Sequence, residues 1–134
     1  MNEYEYLSRL SEEIKRNGNI FMHKECRNEL VSLISGNGKE KIFLRDFNCR
    51  VRTLSEVGVR TAITTDGFEN LKGKNCADLY SMRFKQPNIR ILFSDCKDGT
   101  LLLLAFFEKE GKGVTEYEAY IPCAKARLQE MIIN

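Results

Sequence analysis

The hydrophobic period of this chain changes near residue 67, from helical spacing to strand spacing. Before that point apolar side chains recur every three or four residues, as at Phe43, Phe47 and Val51. After it, residues 79–84 alternate, and residues 101–107 form a continuous apolar run of the kind seen in strands buried on both faces. Helices followed by strands are typical of an α+β domain.

The same patterns place the individual elements. They predict helices at 3–16, 24–35, 39–57 and about 116–131, with strands at 79–84, 89–93 and 101–107. Residues 20–22 fit either a brief strand or the entry to a helix. Thr115 and Glu118 have the spacing of a capping box, and Pro122 predicts a kink in the last helix or a start delayed to that residue. We therefore expect a three-stranded antiparallel meander, a helical hairpin before it, a C-terminal helix after it, and the helices packed on one face.

Length and composition narrow the class of protein further. A chain of 134 residues has room for a single domain, 1–134. Its longest apolar run, 101–107, is far shorter than the roughly 20 residues of a membrane helix, so we expect no membrane span. Its first residues are acidic, so we expect no secretory signal. The five cysteines are odd in number and form no CxxC pair, and there is one histidine. We expect free thiols, no metal, no cofactor and a cytoplasmic location.

Positive charge is concentrated in two parts of a chain whose net charge is only +2. The first part is 39–60. The second part is 72–90, where the one acidic residue is Asp78 and the basic residues are Lys72, Lys74, Arg83, Lys85 and Arg90. Such clustering predicts a localised anion-binding face. The alternative is two solvated faces whose charges never meet.

Four short motifs, in this order and spacing, resemble the RelE/ParE superfamily of bacterial and phage toxins, closest to its HigB-like and phage-derived Gp49-like branch. Residues 68–73 (FENLKG) are similar to the family's "xxLKG" entry to the meander, and 79–84 (LYSMRF) to its "LYELRF". Residues 89–93 (IRILF) are similar to "YRVLY", and 103–109 (LLAFFEK) to "LLHAFVKK". The resemblance covers about 24–131 and implies a RelE-like fold, which leaves 1–23 as an N-terminal helical extension.

The resemblance implies a toxin of a type II toxin–antitoxin system that cleaves messenger RNA on the ribosome without a metal. In that chemistry the ribose 2′-OH attacks the adjacent phosphate, so the site must accept a proton, neutralise the phosphate and protonate the leaving oxygen. The implied partners are a cognate antitoxin, mRNA and the ribosome. The residues that the resemblance assigns to catalysis are Arg83, Arg90, Lys109 and Tyr117. Those assigned to RNA binding are Lys72, Lys74, Ser81 and Lys85.

The chain departs from the family pattern at two positions. Glu110 stands where a second lysine is expected, and Ala105 replaces a frequent histidine. These departures favour an alternative function, a non-catalytic binder on the same fold. Such a binder would be a gyrase-directed toxin or a phage protein that binds a host factor. A plain structural domain is the third hypothesis, since the net charge is small.

Overall fold

The computed structural model describes residues 2–71, 78–108 and 117–133. Within these residues the α-helices are α1 (Glu3–Arg16), α2 (Lys24–Ile34), α3 (Glu40–Ala62) and α4 (Ile121–Ile133), and a short 3-10 helix, Tyr117–Ala119, precedes α4. The strands are β1 (Ile20–Met22), β2 (Phe68–Asn70), β3 (Tyr80–Lys85), β4 (Asn88–Cys96) and β5 (Gly99–Phe107).

The strands form one mixed sheet in the order β1-β5-β4-β3-β2. The predicted antiparallel meander is confirmed as β3-β4-β5. The sheet is wider than predicted, because β1 adds parallel to β5 and β2 adds antiparallel to β3. Each added strand has only three residues, which is too short to show a period of two in the sequence.

Helices cover both faces of the sheet, so the prediction that they pack on one face was wrong. On the first face, α1, α2 and α3 enclose the larger core with inward residues of the strands, such as Phe84 and Ile91. On the second face, α4 packs Ile121, Ala124 and Leu128 over Leu92, Leu104 and Phe106. The α+β class and the predicted packing of the C-terminal helix on the sheet are confirmed. The second layer follows from the apolar run 101–107, since a strand that is apolar on both sides needs cover on both sides.

The first 23 residues contribute to the main core. Tyr6 and Leu10 of α1 are fully buried there, and Ile20 of β1 is 3% exposed. Residues predicted as a helical extension therefore supply both a layer of the core and the edge strand β1.

Two element boundaries agree with the sequence signals. α3 is broken at Gly58, whose φ of 80° and ψ of 164° are not helical, directly after the predicted end at 57, and it continues beyond the break to Ala62. α4 begins at Ile121 with Pro122 in its first turn, which is the delayed start that the proline predicted. Thr115 of the expected capping box lies outside the described residues. Among the described helices, none is long and apolar enough to span a membrane.

Candidate anion site on the α4 face of the sheet

Arg83 on β3 and Arg90 on β4 are direct partners across the antiparallel ladder. Side chains that oppose one another in this way point to the same face, with their Cβ atoms about 5 Å apart. The face is the one that α4 covers, because Phe106, the partner of Arg90 on β5, belongs to the α4 core. Two like charges at this spacing repel each other and destabilise the sheet locally.

Arg83 is held loosely. Its side chain is 42% exposed, and its Nη2 lies 3.9 Å from Oδ1 of Asp66, a carboxylate that is 93% exposed. An ion pair this long and this solvated contributes little to stability. The guanidinium is therefore available to a ligand that approaches from solvent.

Arg90 is held more firmly by its own hairpin. Its Nη1 donates to the Asn88 side-chain oxygen at 3.0 Å and to the main-chain oxygens of Ile89 and Phe84 at 3.3 and 3.5 Å. All three bonds use Nη1. They fix the guanidinium beside the β3–β4 turn, where it lies partly buried.

A chain of hydrogen-bonding groups lies next to the two arginines. The Tyr117 hydroxyl donates to Oε2 of Glu69 at 2.9 Å, and Oγ of Ser81 lies 3.0 Å from the same phenol oxygen. Because a phenol has a single proton, Ser81 donates to Tyr117 while Tyr117 donates to Glu69. Burial raises the pKa of Tyr117; the hydrogen bond from Ser81 opposes this rise, as does the charge of Arg90, while the charge and hydrogen bond of Glu69 add to it. The phenol is therefore protonated at neutral pH.

Aromatic rings form one wall of the site. The Phe106 ring stacks on Tyr120, with centroids 3.9 Å apart and planes 11° apart. It also meets the Tyr117 ring edge-on at 6.1 Å and 88°. In the structure both rings pack on Phe106, and the Tyr117 hydroxyl also enters the polar chain.

The structure therefore brings together four of the eight predicted site residues, namely Ser81, Arg83, Arg90 and Tyr117. Ser81, which the resemblance assigns to RNA binding, is fully buried, and its hydroxyl contacts Tyr117. Lys85 is exposed at the end of β3, in register with Asn88 at the turn. The remaining predicted residues lie outside the described part of the chain: Lys72, Lys74 and Lys109.

Sequence reasoning missed Glu69 as a member of the site. It lies on β2 directly opposite Ser81, so its side chain shares the face of Ser81 and Arg83. The motif containing it had been noted, but a three-residue strand gives no alternation from which to assign a face. Glu69 is the described carboxylate that contacts Tyr117.

The other basic stretch, on α3, does not join this site. α3 packs on the opposite face of the sheet, where open clefts beside it mix Arg16 and Arg52 with Glu13 and Glu56. The two basic stretches therefore do not form a single anion-binding face.

One cation of α3 has a structural role instead. The Arg50 guanidinium reaches the sheet edge, where Nη2 donates to the Arg83 main-chain oxygen at 3.3 Å. It also lies 6.0 Å from the Phe68 ring centroid and 5.7 Å from that of Phe84. Arg50 thus supports the backbone of Arg83 from behind the sheet.

Among the side chains that the structure describes, no three His, Cys, Asp or Glu residues converge as a metal site. What the site holds is a pair of guanidinium groups for an anion and a hydroxyl–phenol–carboxylate chain for a proton. Comparison with family models, with curated proteins and with solved structures finds no match to this chain.

Proposed function

We propose that this protein is the toxin of a type II toxin–antitoxin pair, a ribosome-dependent messenger-RNA endonuclease with a RelE-like fold. The observation that carries the proposal is the pairing of Arg83 with Arg90 on one sheet face, beside the chain Ser81–Tyr117–Glu69. This arrangement supplies phosphate binding and proton acceptance within one site. The motif resemblance and the confirmed meander support the same proposal.

The two arginines bind the phosphate and stabilise its charge. Guanidinium groups are permanently charged and bind phosphate oxygens through two donors at once, so they stabilise the extra negative charge of a pentavalent phosphorus. A phosphate between Arg83 and Arg90 also removes their mutual repulsion. Arg90 is held in place for this role, while Arg83 exchanges its weak contact with Asp66 for the substrate.

Proton acceptance is the task of Tyr117 and Glu69. As the 2′-oxygen forms its bond to phosphorus, its proton passes to the phenol oxygen, and the phenol proton passes to the Glu69 carboxylate. The bond from phosphorus to the 5′-oxygen then breaks, which leaves a 2′,3′-cyclic phosphate and a 5′-oxygen that takes up a proton. Lys109 is the sequence candidate for assisting that oxygen, and Lys72, Lys74 and Lys85 for positioning the RNA backbone.

Primer extension on cellular mRNA after induction of the chain tests the proposal. We expect growth arrest and discrete cleavage sites, both relieved by Arg83→Ala and Arg90→Ala, with cleavage reduced about a hundredfold by each change. Arg45→Ala is the matched control, because this arginine is exposed on α3. Co-expression of the cognate antitoxin should restore growth, and co-purification with the toxin should identify it.

Two observations favour the alternative, a non-catalytic binder. Nη1 of Arg90 is already bonded within its own hairpin, and Glu69 places a negative charge near the proposed phosphate position. Growth arrest with intact mRNA and trapped gyrase would support a gyrase-directed toxin. No effect on growth at any expression level would contradict both toxin functions.

A further inference from the structure

Strand β5 has an edge that β1 covers only in part. β1 pairs with β5 from Thr100 to Leu102, and the His23 main-chain N–H donates to the Leu102 oxygen at 2.9 Å. Beyond that point two side chains take the place of a neighbouring strand. Arg127 Nη1 donates to the Leu103 oxygen at 2.9 Å, and the Ala105 N–H donates to Glu29 Oε1 at 3.1 Å.

Arg127 and Glu29 also form a bidentate ion pair with each other. Nη1 and Nη2 of Arg127 lie 2.7 and 2.8 Å from the two carboxylate oxygens of Glu29, and the side chains are 12% and 30% exposed. Such two-pronged, charge-assisted bonds are among the strongest in proteins, and they fix orientation as well as distance. The pair joins α2, α4 and the β5 backbone at one point.

That point lies next to the aromatic wall of the candidate site. Leu103 and Ala105 carry the two bonded backbone groups, and the following residue is Phe106. The Phe106 ring contacts both Tyr120 and Tyr117, and the Tyr117 hydroxyl reaches Glu69. Tyr117 lies on the short 3-10 helix that leads directly into α4, so a shift of α4 along β5 would carry the phenol away from Glu69.

We propose that the Glu29–Arg127 pair is a positioning element of the candidate site. By locking α4 to the backbone of β5 on either side of Leu104, it holds the Tyr117 hydroxyl within reach of Glu69. Its effect on RNA cleavage rests on the proposed function. Its effect on the position of the phenol does not, so the two are measured separately.

The primary test is Glu29→Gln in protein labelled with ¹³C at the tyrosine ζ carbons, with the Tyr117 signal identified by loss in Tyr117→Phe. The amide keeps an oxygen for the Ala105 N–H but loses the charge that binds Arg127. We expect the Tyr117 titration midpoint to move by about 0.5 pH unit or more toward that of an ordinary tyrosine. If the wild-type chain cleaves RNA, kcat should fall about tenfold with KM changed less than twofold, because misplacement rather than binding is affected.

The matched control is Glu130→Gln. Glu130 also joins α4 to the α2 side of the molecule, since its Oε2 lies 2.7 Å from His23 Nε2, and this described hydrogen bond goes to a side chain rather than to the β5 backbone. We expect its Tyr117 titration to match the wild type. Equal shifts in the two variants would mean general loosening of α4 and would overturn the assignment.

Two further outcomes are decisive. If Glu29→Gln lowers stability but leaves the Tyr117 titration unchanged, the pair is merely structural and the inference fails. If Glu29→Gln does not fold, Arg127→Lys is measured instead, since a single ammonium keeps the charge without the fork. A Tyr117 shift in a chain whose wild type cleaves no RNA would uphold the positioning role and refute the proposed function.

Discussion

Arg83 and Arg90 present a cost to the fold that a neutral side chain would remove. Like charges placed directly opposite in an antiparallel sheet are destabilising by a few tenths of a kcal/mol to about 1 kcal/mol. Arg83 has little to offset this, because its contact with Asp66 is 3.9 Å long and solvated. Functional sites commonly retain such local penalties.

Replacing Arg83 by glutamine should therefore separate stability from binding. We expect Arg83→Gln to leave the free energy of unfolding equal to that of the parent or higher by about 0.5 kcal/mol. The proposed binding to single-stranded RNA, measured by fluorescence anisotropy, should weaken, and its salt dependence should become shallower by about one phosphate contact. Arg45→Gln on α3 serves as the control, with parental affinity. A marked loss of stability in Arg83→Gln would show that the arginine is structural.

Gly67 lies directly before β2, and it combines a positive φ with close packing against the Arg50 side chain. Its φ is 94°, and a Cβ atom at this position would displace the Arg50 guanidinium, which donates a hydrogen bond to the Arg83 main-chain oxygen. We expect Gly67→Ala to lower the free energy of unfolding by about 2 kcal/mol or more, measured by chemical denaturation. Gly38→Ala isolates the backbone component, because Gly38 has a φ of 80° and open space around it. Equal losses in the two variants would contradict a role for the contact with Arg50.

At the scale of elements, the sequence predicted the long, periodic helices and strands and missed short strands such as β2. The helices α1 to α3 and the strands β3 to β5 each bury several residues, and these recur at the spacing of a helix or a strand, so the spacing identifies the elements. β2 has three residues, and its presence depends on pairing with β3 rather than on its own pattern. The face of Glu69 was therefore not predictable from the sequence, whereas Arg83 and Arg90 lie on strands that the sequence predicted at 79–84 and 89–93. The Glu29–Arg127 pair joins residues 98 positions apart and has no local signal.

Substitutions in β5 test the finding that helices cover both faces of the sheet. Leu102 packs in the core under α1 to α3, and Leu104 in the core under α4, while Phe107 is 50% exposed. We expect Leu102→Ala and Leu104→Ala each to lower the free energy of unfolding by about 2–5 kcal/mol. Phe107→Ala should cost less than half as much, although it removes a larger side chain. A small effect of Leu104→Ala would contradict a second buried layer.

At the scale of the whole molecule, the larger core excludes water from two groups that ionise in alkali. Cys26 of α2 and Tyr6 of α1 are both 0% exposed, and burial raises the pKa of each well above its ordinary value. A group whose pKa is higher in the folded state keeps its proton there while the unfolded chain releases it. Its contribution to stability is therefore complete below the pKa of the unfolded chain and declines as pH rises above that value.

The alkaline decline in stability should therefore begin with Cys26, since an unfolded thiol titrates near pH 8.5 and an unfolded phenol near pH 10. Between pH 7.5 and 9.5 we expect Cys26 to lower the free energy of unfolding by about 1.4 kcal/mol, measured by urea denaturation under reducing conditions. Cys26→Ala lowers stability at every pH through the lost side chain, but its pH slope over this range should be flatter than that of the parent. Cys49→Ala, which alters an exposed thiol of α3, should keep the parental slope. Because Cys26 lies among residues of α1, α3 and the sheet, equal slopes in all three proteins would mean that the core admits water before the chain unfolds.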